Sequence, residues 1–380
     1  MTTQTILTNA WLVLPGEVIA GSVVIQDGRI ADVQPGRSFL SAALDLEGDH
    51  LVPGVVDVHT DNLERQVSPR QNARWPSRSA MLAHDAQCAS AGVTTVFDAL
   101  CLGDLGFDPG RGQTFLDGVR DLDSLAEADA LKSEHFLHLR CELPAPDMRA
   151  ALDPVADHAR VLMVSLMDHS PGVGQYRDIP RYKVMRQRQK QMTNAEVDRR
   201  VVELLDQRER LRGPNRAWLL ARVQHRDLPL ASHDDDSAES VRANLADGIR
   251  ISEFPVVMDA ALAARDLGVA VIAGAPNIVR GGSHSGNVAA ADLVRAGAAD
   301  AFASDYVPAA MVEAAFRCAE ETGIGLPHAI AMITDRPARM ARLADRGRIE
   351  AGLRADLVQI RALPGLPVVR RVWRAGERVA

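Results

Sequence analysis

Between residues 54 and 306, eight short, almost unbroken apolar runs alternate with longer stretches of helical periodicity, and this alternation restricts the fold more than any other feature of the chain. The runs are GVVDVHT (54–60), VTTVFDAL (93–100), HFLHLRCEL (135–143), VLMVSLMDH (161–169), LPLASHD (228–234), IRISEFP (249–255), VAVIAGAP (269–276) and AFASDY (301–306). A strand that is apolar on both faces needs cover on both, which parallel sheets obtain from the helices that cross over between strands. Eight such β/α units in roughly 290 residues suit a closed (β/α)8 barrel, which typically takes about 250 residues before insertions. The expected class is therefore α/β, a TIM-like barrel, with an open doubly wound sheet as the structural alternative.

The two chain ends differ from the middle and resemble each other. TILTNAWLVLPG, GSVVIQDGRIADV and AALDLEGDHLVPG at one end, and GRIEAGLRADLVQIRALPGLPVVRRVWRAGERVA at the other, are short strand-like segments split by Gly and Asp. In QDGR the Asp-Gly pair suits a hairpin, because both residues tolerate the positive φ that joins twisted strands. The ends are expected to pair into one small β-sandwich domain (1–52 plus 345–380) flanking a catalytic barrel (53–344).

Bulk properties narrow the function classes. A net charge of -7 gives no basic field for nucleic acid, so no nucleic-acid partner is expected. The opening MTTQTILTNAWLVLPG lacks a basic segment followed by a long apolar one, as a secretory signal would have. No apolar run approaches the ~18 residues of a membrane span, so no membrane partner is expected. Cys88, Cys101, Cys141 and Cys318 are scattered without a C-x-x-C pair, which fits a reduced, cytoplasmic protein. A homo-oligomer is left open.

The apolar runs finish on polar residues: His59 and Asp61, Asp98, Glu142, Asp168 and His169, His233 and Asp234, Asp305. Side chains at i and i+2 of a strand share a face, so His59 and Asp61 can point at one partner. Taken singly, each has an ordinary explanation as a helix cap or a satisfied core histidine. Together they crowd one end of a barrel, the end where such folds build their sites, and buried polar groups there need partners. Imidazole nitrogen beside carboxylate oxygen matches divalent-metal ligation.

The order His-x-Asp, Glu, His, His, Asp along the strands resembles the amidohydrolase superfamily, as do LVPGVVDVHTD near the start and TDRPARMARLADRGRIEAGLRADLV near the end. Two departures stand out. Asp61 replaces the second histidine of the usual first motif, and no lysine closes the third or fourth strand. HTDNLE (59–64), HLRCE (138–142), MDHSPG (167–172), SHDDDS (232–237), GAPNIVRGGSHSGN (274–287) and ASDYVP (303–308) occur in that order. They narrow the resemblance to the ribose-triphosphate diphosphatases of bacterial phosphonate breakdown, over essentially the whole chain.

The resemblance implies two divalent metal ions, Zn²⁺, Mn²⁺ or Fe²⁺. One would be held by His59, Asp61 and Asp305, the other by His169 and His233, with Glu142 as the bridge. Asp305 would also accept the proton of the attacking water. The implied reaction is hydrolysis of α-D-ribose 1-methylphosphonate 5-triphosphate between its α- and β-phosphates, giving the 5-phosphate and pyrophosphate.

Negative charge grows on phosphoryl oxygens during such a displacement, so cations beyond the metals are needed. YRDIPRYKVMRQRQK (176–190) offers Arg177, Arg181 and Lys183 over the barrel mouth, although charge runs are also ordinary solvated helix faces. RGGSHSGN offers Arg280, Gly282, Ser283 and His284. Glycines let backbone N–H groups approach an anion, and the alternative is a turn with a helix cap at Ser285 or Asn287. His284 would bind phosphate or serve as acid to the leaving group. A third basic loop, with Arg65, Arg70, Arg74 and Arg78, follows the first strand. The competing readings are an amide, cyclic-imide or ring-deaminating hydrolase on the same scaffold, and a barrel without chemistry.

Overall fold

The computed structural model describes residues 4–70, 73–106, 110–190, 192–283 and 285–380. Eight parallel strands, numbered here barrel strands 1 to 8, are Val55–Thr60, Val93–Leu102, Glu134–Glu142, Val161–Met167, Leu230–His233, Ile251–Glu253, Ala270–Gly274 and Ala301–Ala303. Each pairs with the next in sequence, as right-handed β/α crossovers require. The wall closes at its carboxyl end. There Asp305 donates its backbone N–H to the His59 carbonyl at 3.0 Å, and Asp61 donates to the Asp305 carbonyl at 2.5 Å. The closing bonds thus join three of the candidate site residues.

Strand alternation sorts the side chains. On barrel strand 3, Leu137, Leu139 and Cys141 pack outward against Leu122 of helix Arg111–Glu127 and Leu204 and Leu219 of helix Asn194–Val223. His138, Arg140 and Glu142 face the barrel interior. Below them Val58, Phe97, Met163, Ala231, Ile251, Ile272 and Ala301 fill the interior as a packed core. Burying each larger apolar side chain contributes about 1.5–3 kcal/mol.

The chain ends share one mixed sheet, in which Leu357–Leu363 pairs antiparallel with His50–Pro53. Leu7, Leu12, Val23, Ile25, Leu357 and Trp373 give it a core of its own. The Asp-Gly hairpin forms as its chemistry dictates, with φ of 49° at Asp27 and 77° at Gly28. No helix among the described residues is long and apolar enough to cross a membrane.

Asp98 corrects the reading of the strand ends. Barrel strand 2 continues to Leu102, so Asp98 lies within it and faces the helix layer. It accepts from His84 Nε2 at 2.7 Å and from His135 Nδ1 at 2.9 Å, while His135 Nε2 reaches Asp85 at 3.2 Å. Burial opposes a charge on His135, but the two carboxylates outweigh it and raise the imidazole to about 9. Asp168 also turns outward, to Arg208 at 2.7 Å and Arg212 at 3.0 Å on the long helix.

Candidate metal centre

Two groups of donors stand at the carboxyl ends of the barrel strands. His59, Asp61 and Asp305 form one and His169, His233 and Asp234 the other, each with its ligand atoms within 4.8 Å of one another. His59 Nε2 lies 3.7 Å from Asp61 Oδ1, and Asp234 Oδ2 lies 3.8 Å from Nε2 of both His169 and His233. These separations exceed a hydrogen bond. Donors sharing one ion at ~2.1 Å stand roughly 3–3.5 Å apart, so a small inward shift would close either set on a cation. His59 Nε2 and Asp234 Oδ2 are buried and have no hydrogen-bond partner among the described residues. Buried polar atoms are rarely left so, and the nitrogen and oxygen donors fit a divalent ion.

The local backbone aims these groups. Asp234, Phe254 and Asp305, just past barrel strands 5, 6 and 8, adopt left-handed φ of 58°, 54° and 56°. Each still donates its N–H to the neighbouring strand: Asp234 to Glu253, Phe254 to Ile272 and Asp305 to His59, at 2.8–3.0 Å. The ladder bond is kept while the chain turns. Such conformations cost about 1–3 kcal/mol for most residues and tend to be held at functional sites.

Glu253, fully buried at the end of barrel strand 6, organises the floor. It accepts from His59 Nδ1 at 3.1 Å, His233 Nδ1 at 3.3 Å and Ser165 Oγ at 2.7 Å. A carboxylate on Nδ1 fixes the tautomer that leaves Nε2 free to ligate. Burial resists the charge on Glu253, but His138 and His59 hold the carboxyl well below its ordinary value. Glu142 does the same for His169, accepting its Nδ1 at 2.6 Å and its backbone N–H at 2.8 Å. Glu142 thus stands behind His169 and is a member of neither donor group. Asp61 bonds Arg140 Nη1 at 2.5 Å. Burial and then the nearby Asp61 charge push Asp305 up to about 7.

A cavity of about 260 Å³ opens over this floor, lined by Asp61, Arg140, His233, Asp234 and Asp305 below and by Arg280, Gly282 and Ser283 at the side. Gly281, at φ 74°, ends helix Ala275–Arg280 and turns the chain across the cavity. The next helix, Ala290–Arg295, begins after Ala289, so neither Ser285 nor Asn287 caps it. Arg177 Nη1 reaches Asn287 Oδ1 at 3.4 Å, and a Cβ on Gly286 would lie 2.9 Å from Arg181 Nη1. The two basic segments therefore meet. Lys183 turns away to Asp198 at 2.6 Å. In the third basic loop, Arg74 bonds Asp117 at 3.0 Å. His284 lies outside the described residues.

Sequence reading named Asp234 as a polar strand end without giving it a ligand role, and passed over Arg140 and Glu253. Asp234 was legible as the neighbour of His233, and Arg140 as the residue sharing a face with Glu142. Glu253 stood at a strand end with no local signal of its partners.

No protein-family model matches the chain. The alpha-D-ribose 1-methylphosphonate 5-triphosphate diphosphatase of Escherichia coli (strain K12) is 40% identical over 376 residues, 98% of this chain and 100% of that protein. Among solved structures, N-acetyl-D-glucosamine-6-phosphate deacetylase from Mycobacterium smegmatis superposes with a TM-score of 0.63 at 18% identity, covering 99% of this chain and 100% of that one. Dihydropyrimidinase from Brevibacillus agri NCHU1002 gives 0.63 at 11% identity, with 99% and 95% covered. N-isopropylammelide isopropylaminohydrolase from Burkholderia multivorans ATCC 17616 gives 0.62 at 18% identity, with 99% and 98% covered. At these identities the structural likeness shows a shared fold.

Proposed function

The chain belongs to the family of the alpha-D-ribose 1-methylphosphonate 5-triphosphate diphosphatases, and from that premise we propose that it hydrolyses a ribose 5-triphosphate of this class between the α- and β-phosphates, releasing pyrophosphate. The observation that carries the reading is one cavity with two donor groups on its floor and Arg280, Gly282 and Ser283 on its wall.

His59, Asp61 and Asp305 would hold one divalent cation, and His169, His233 and Asp234 a second, with Zn²⁺, Mn²⁺ and Fe²⁺ all suited to the donors. Cations there would acidify water and offset phosphoryl charge. Asp305 takes the proton of the attacking water on one carboxylate oxygen. Glu142 and Glu253 hold the imidazoles in the ligating tautomer. Gly282, without a side chain, lets the backbone approach the β- and γ-phosphates beside Ser283, while Arg280 balances their charge. For His284, which lies outside the described residues, the reading keeps the sequence-based role of phosphate ligand or acid to the departing pyrophosphate. Arg177 and Arg181 brace the loop from above, and Lys183 is engaged with Asp198. An amide or cyclic imide would have no use for these cations.

Phosphorus NMR of the metal-loaded protein with a ribose 1-alkylphosphonate 5-triphosphate tests the reading. Stoichiometric pyrophosphate and 5-phosphate are expected. Orthophosphate as the first product, or no turnover with metal bound, would overturn it.

A further inference from the structure

Among the described residues that line the cavity floor, Arg140 is a charged group for which the reaction as derived so far has no task. Its side chain is buried, lies on the inward face of barrel strand 3 between His138 and Glu142, and lines the cavity beside Asp61, His233, Asp234 and Asp305. We propose that Arg140 is a catalytic residue whose guanidinium bonds a non-bridging oxygen of the α-phosphate as the anhydride breaks. The proposal rests on the phosphoryl-transfer reading above and assigns that site a further anion ligand.

The partners of Arg140 support this role. Its Nη1 donates to Asp61 Oδ1 at 2.5 Å, and its Nε meets Met167 Sδ at 3.3 Å. A thioether is a weak acceptor, and a guanidinium carries five N–H donors. The Nη2 donors have no hydrogen-bond partner among the described residues, although the cavity is at hand. Asp61 is the close counter-charge, and it is also a candidate metal ligand. Once a cation shares Asp61, the charge on Arg140 is left under-compensated in a buried place, which costs free energy unless an anion arrives.

With Glu142 and Glu253 counted behind the imidazoles, five carboxylates (Asp61, Glu142, Asp234, Glu253, Asp305) would balance two divalent cations and one guanidinium, so the charge that develops on a phosphate over the floor needs a donor already in place. Arginine cannot release its proton in a protein, so Arg140 acts as a fixed positive charge and transfers nothing. With the β- and γ-phosphates against Arg280, Gly282 and Ser283, the α-phosphate is the group left over the floor. A preorganised donor at that position strengthens as charge develops on the phosphoryl oxygens.

The alternative is a positioning role, with Arg140 merely clamping Asp61. Metal-loaded wild-type, Arg140→Ala and Arg140→Lys proteins separate the two by metal content, kcat, KM, rescue by added guanidinium, and calorimetric binding of ribose 5-phosphate, whose phosphate stands for the α-phosphate. A catalytic contact predicts unchanged metal content and a kcat lower by about 10²–10³-fold in both variants. Guanidinium should restore part of the rate in Arg140→Ala alone. Metal lost in step with activity, or kcat within a few-fold of wild type, would overturn the proposal. If the wild type itself releases no pyrophosphate, the phosphoryl-transfer reading fails, and ribose 5-phosphate binding then decides Arg140 as an anion ligand. Weakening by about tenfold in Arg140→Ala supports an anion contact, as expected for a lost charged hydrogen bond, and equal affinity overturns it. Should Arg140→Ala fail to fold, Arg140→Lys carries the same comparisons of metal content, kcat and binding.

Discussion

Glu253 Oε1 accepts a hydrogen bond from His59 Nδ1 at 3.1 Å, joining the end of barrel strand 6 to the first strand across the barrel interior. The other oxygen of the same carboxylate receives His233 Nδ1 at 3.3 Å. One buried carboxylate therefore aims an imidazole in each donor group, and the two groups are expected to respond to it together.

Replacing Glu253 with Gln keeps the shape and removes the charge. Metal affinity should fall about 10–100-fold in both groups, as for other partners that orient ligating histidines. Competition with a metal-binding dye measures it, and affinity lost at one group alone would show that Glu253 does not couple them.

Asp305→Asn should lower hydrolysis by about 10²–10⁴-fold, the usual contribution of a positioned general base. Elemental analysis must find metal still bound for the comparison to hold. Near wild-type turnover with metal present would remove Asp305 from the proton step.

Arg280→Ala takes a cation from the cavity wall, away from the donor groups. A hydrogen bond to a charged group contributes about 1.5–3 kcal/mol, so KM for the triphosphate should rise roughly 10–100-fold. The kcat should change far less, since the loss falls on bound substrate and transition state alike. Steady-state kinetics distinguishes this from a fall in kcat at unchanged KM.

The His84–Asp98–His135–Asp85 cluster makes a pH prediction for stability. His135 is raised to about 9, above the ~6.5 of an unfolded histidine. Its contribution is therefore whole below pH ~6.5 and lost as pH rises through about 9. Thermal unfolding should show stability declining across that window by a few kcal/mol at most. An Asp85→Asn variant should be less stable at pH 6 and flatter between pH 6.5 and 9. Identical slopes in the two proteins would contradict this.

The fold was legible because strands buried on both faces are written as apolar runs, which neither the helices nor the loops imitate. Even Asp98 could have been placed, since the run continues apolar through ALCL to Leu102. The chain ends announced themselves through turns, above all Asp27-Gly28. The donor groups were only partly legible. His59 and Asp61 declare themselves by a spacing of two, but Asp234 joins the floor through a left-handed φ that no pattern encodes. Glu253 gains its meaning from His59, 194 positions away in the chain. Arg140 looked like part of an ordinary strand until Asp61 was seen beside it.

The most direct test of the account is hydrolysis of the ribose 5-triphosphate in ¹⁸O-labelled water, with both products examined by mass spectrometry. Attack over the floor formed by the donor groups and Arg140 predicts one ¹⁸O in the ribose 5-phosphate and none in pyrophosphate. Label in pyrophosphate would mean attack at the β-phosphate and would contradict the placement of the triphosphate in this cavity.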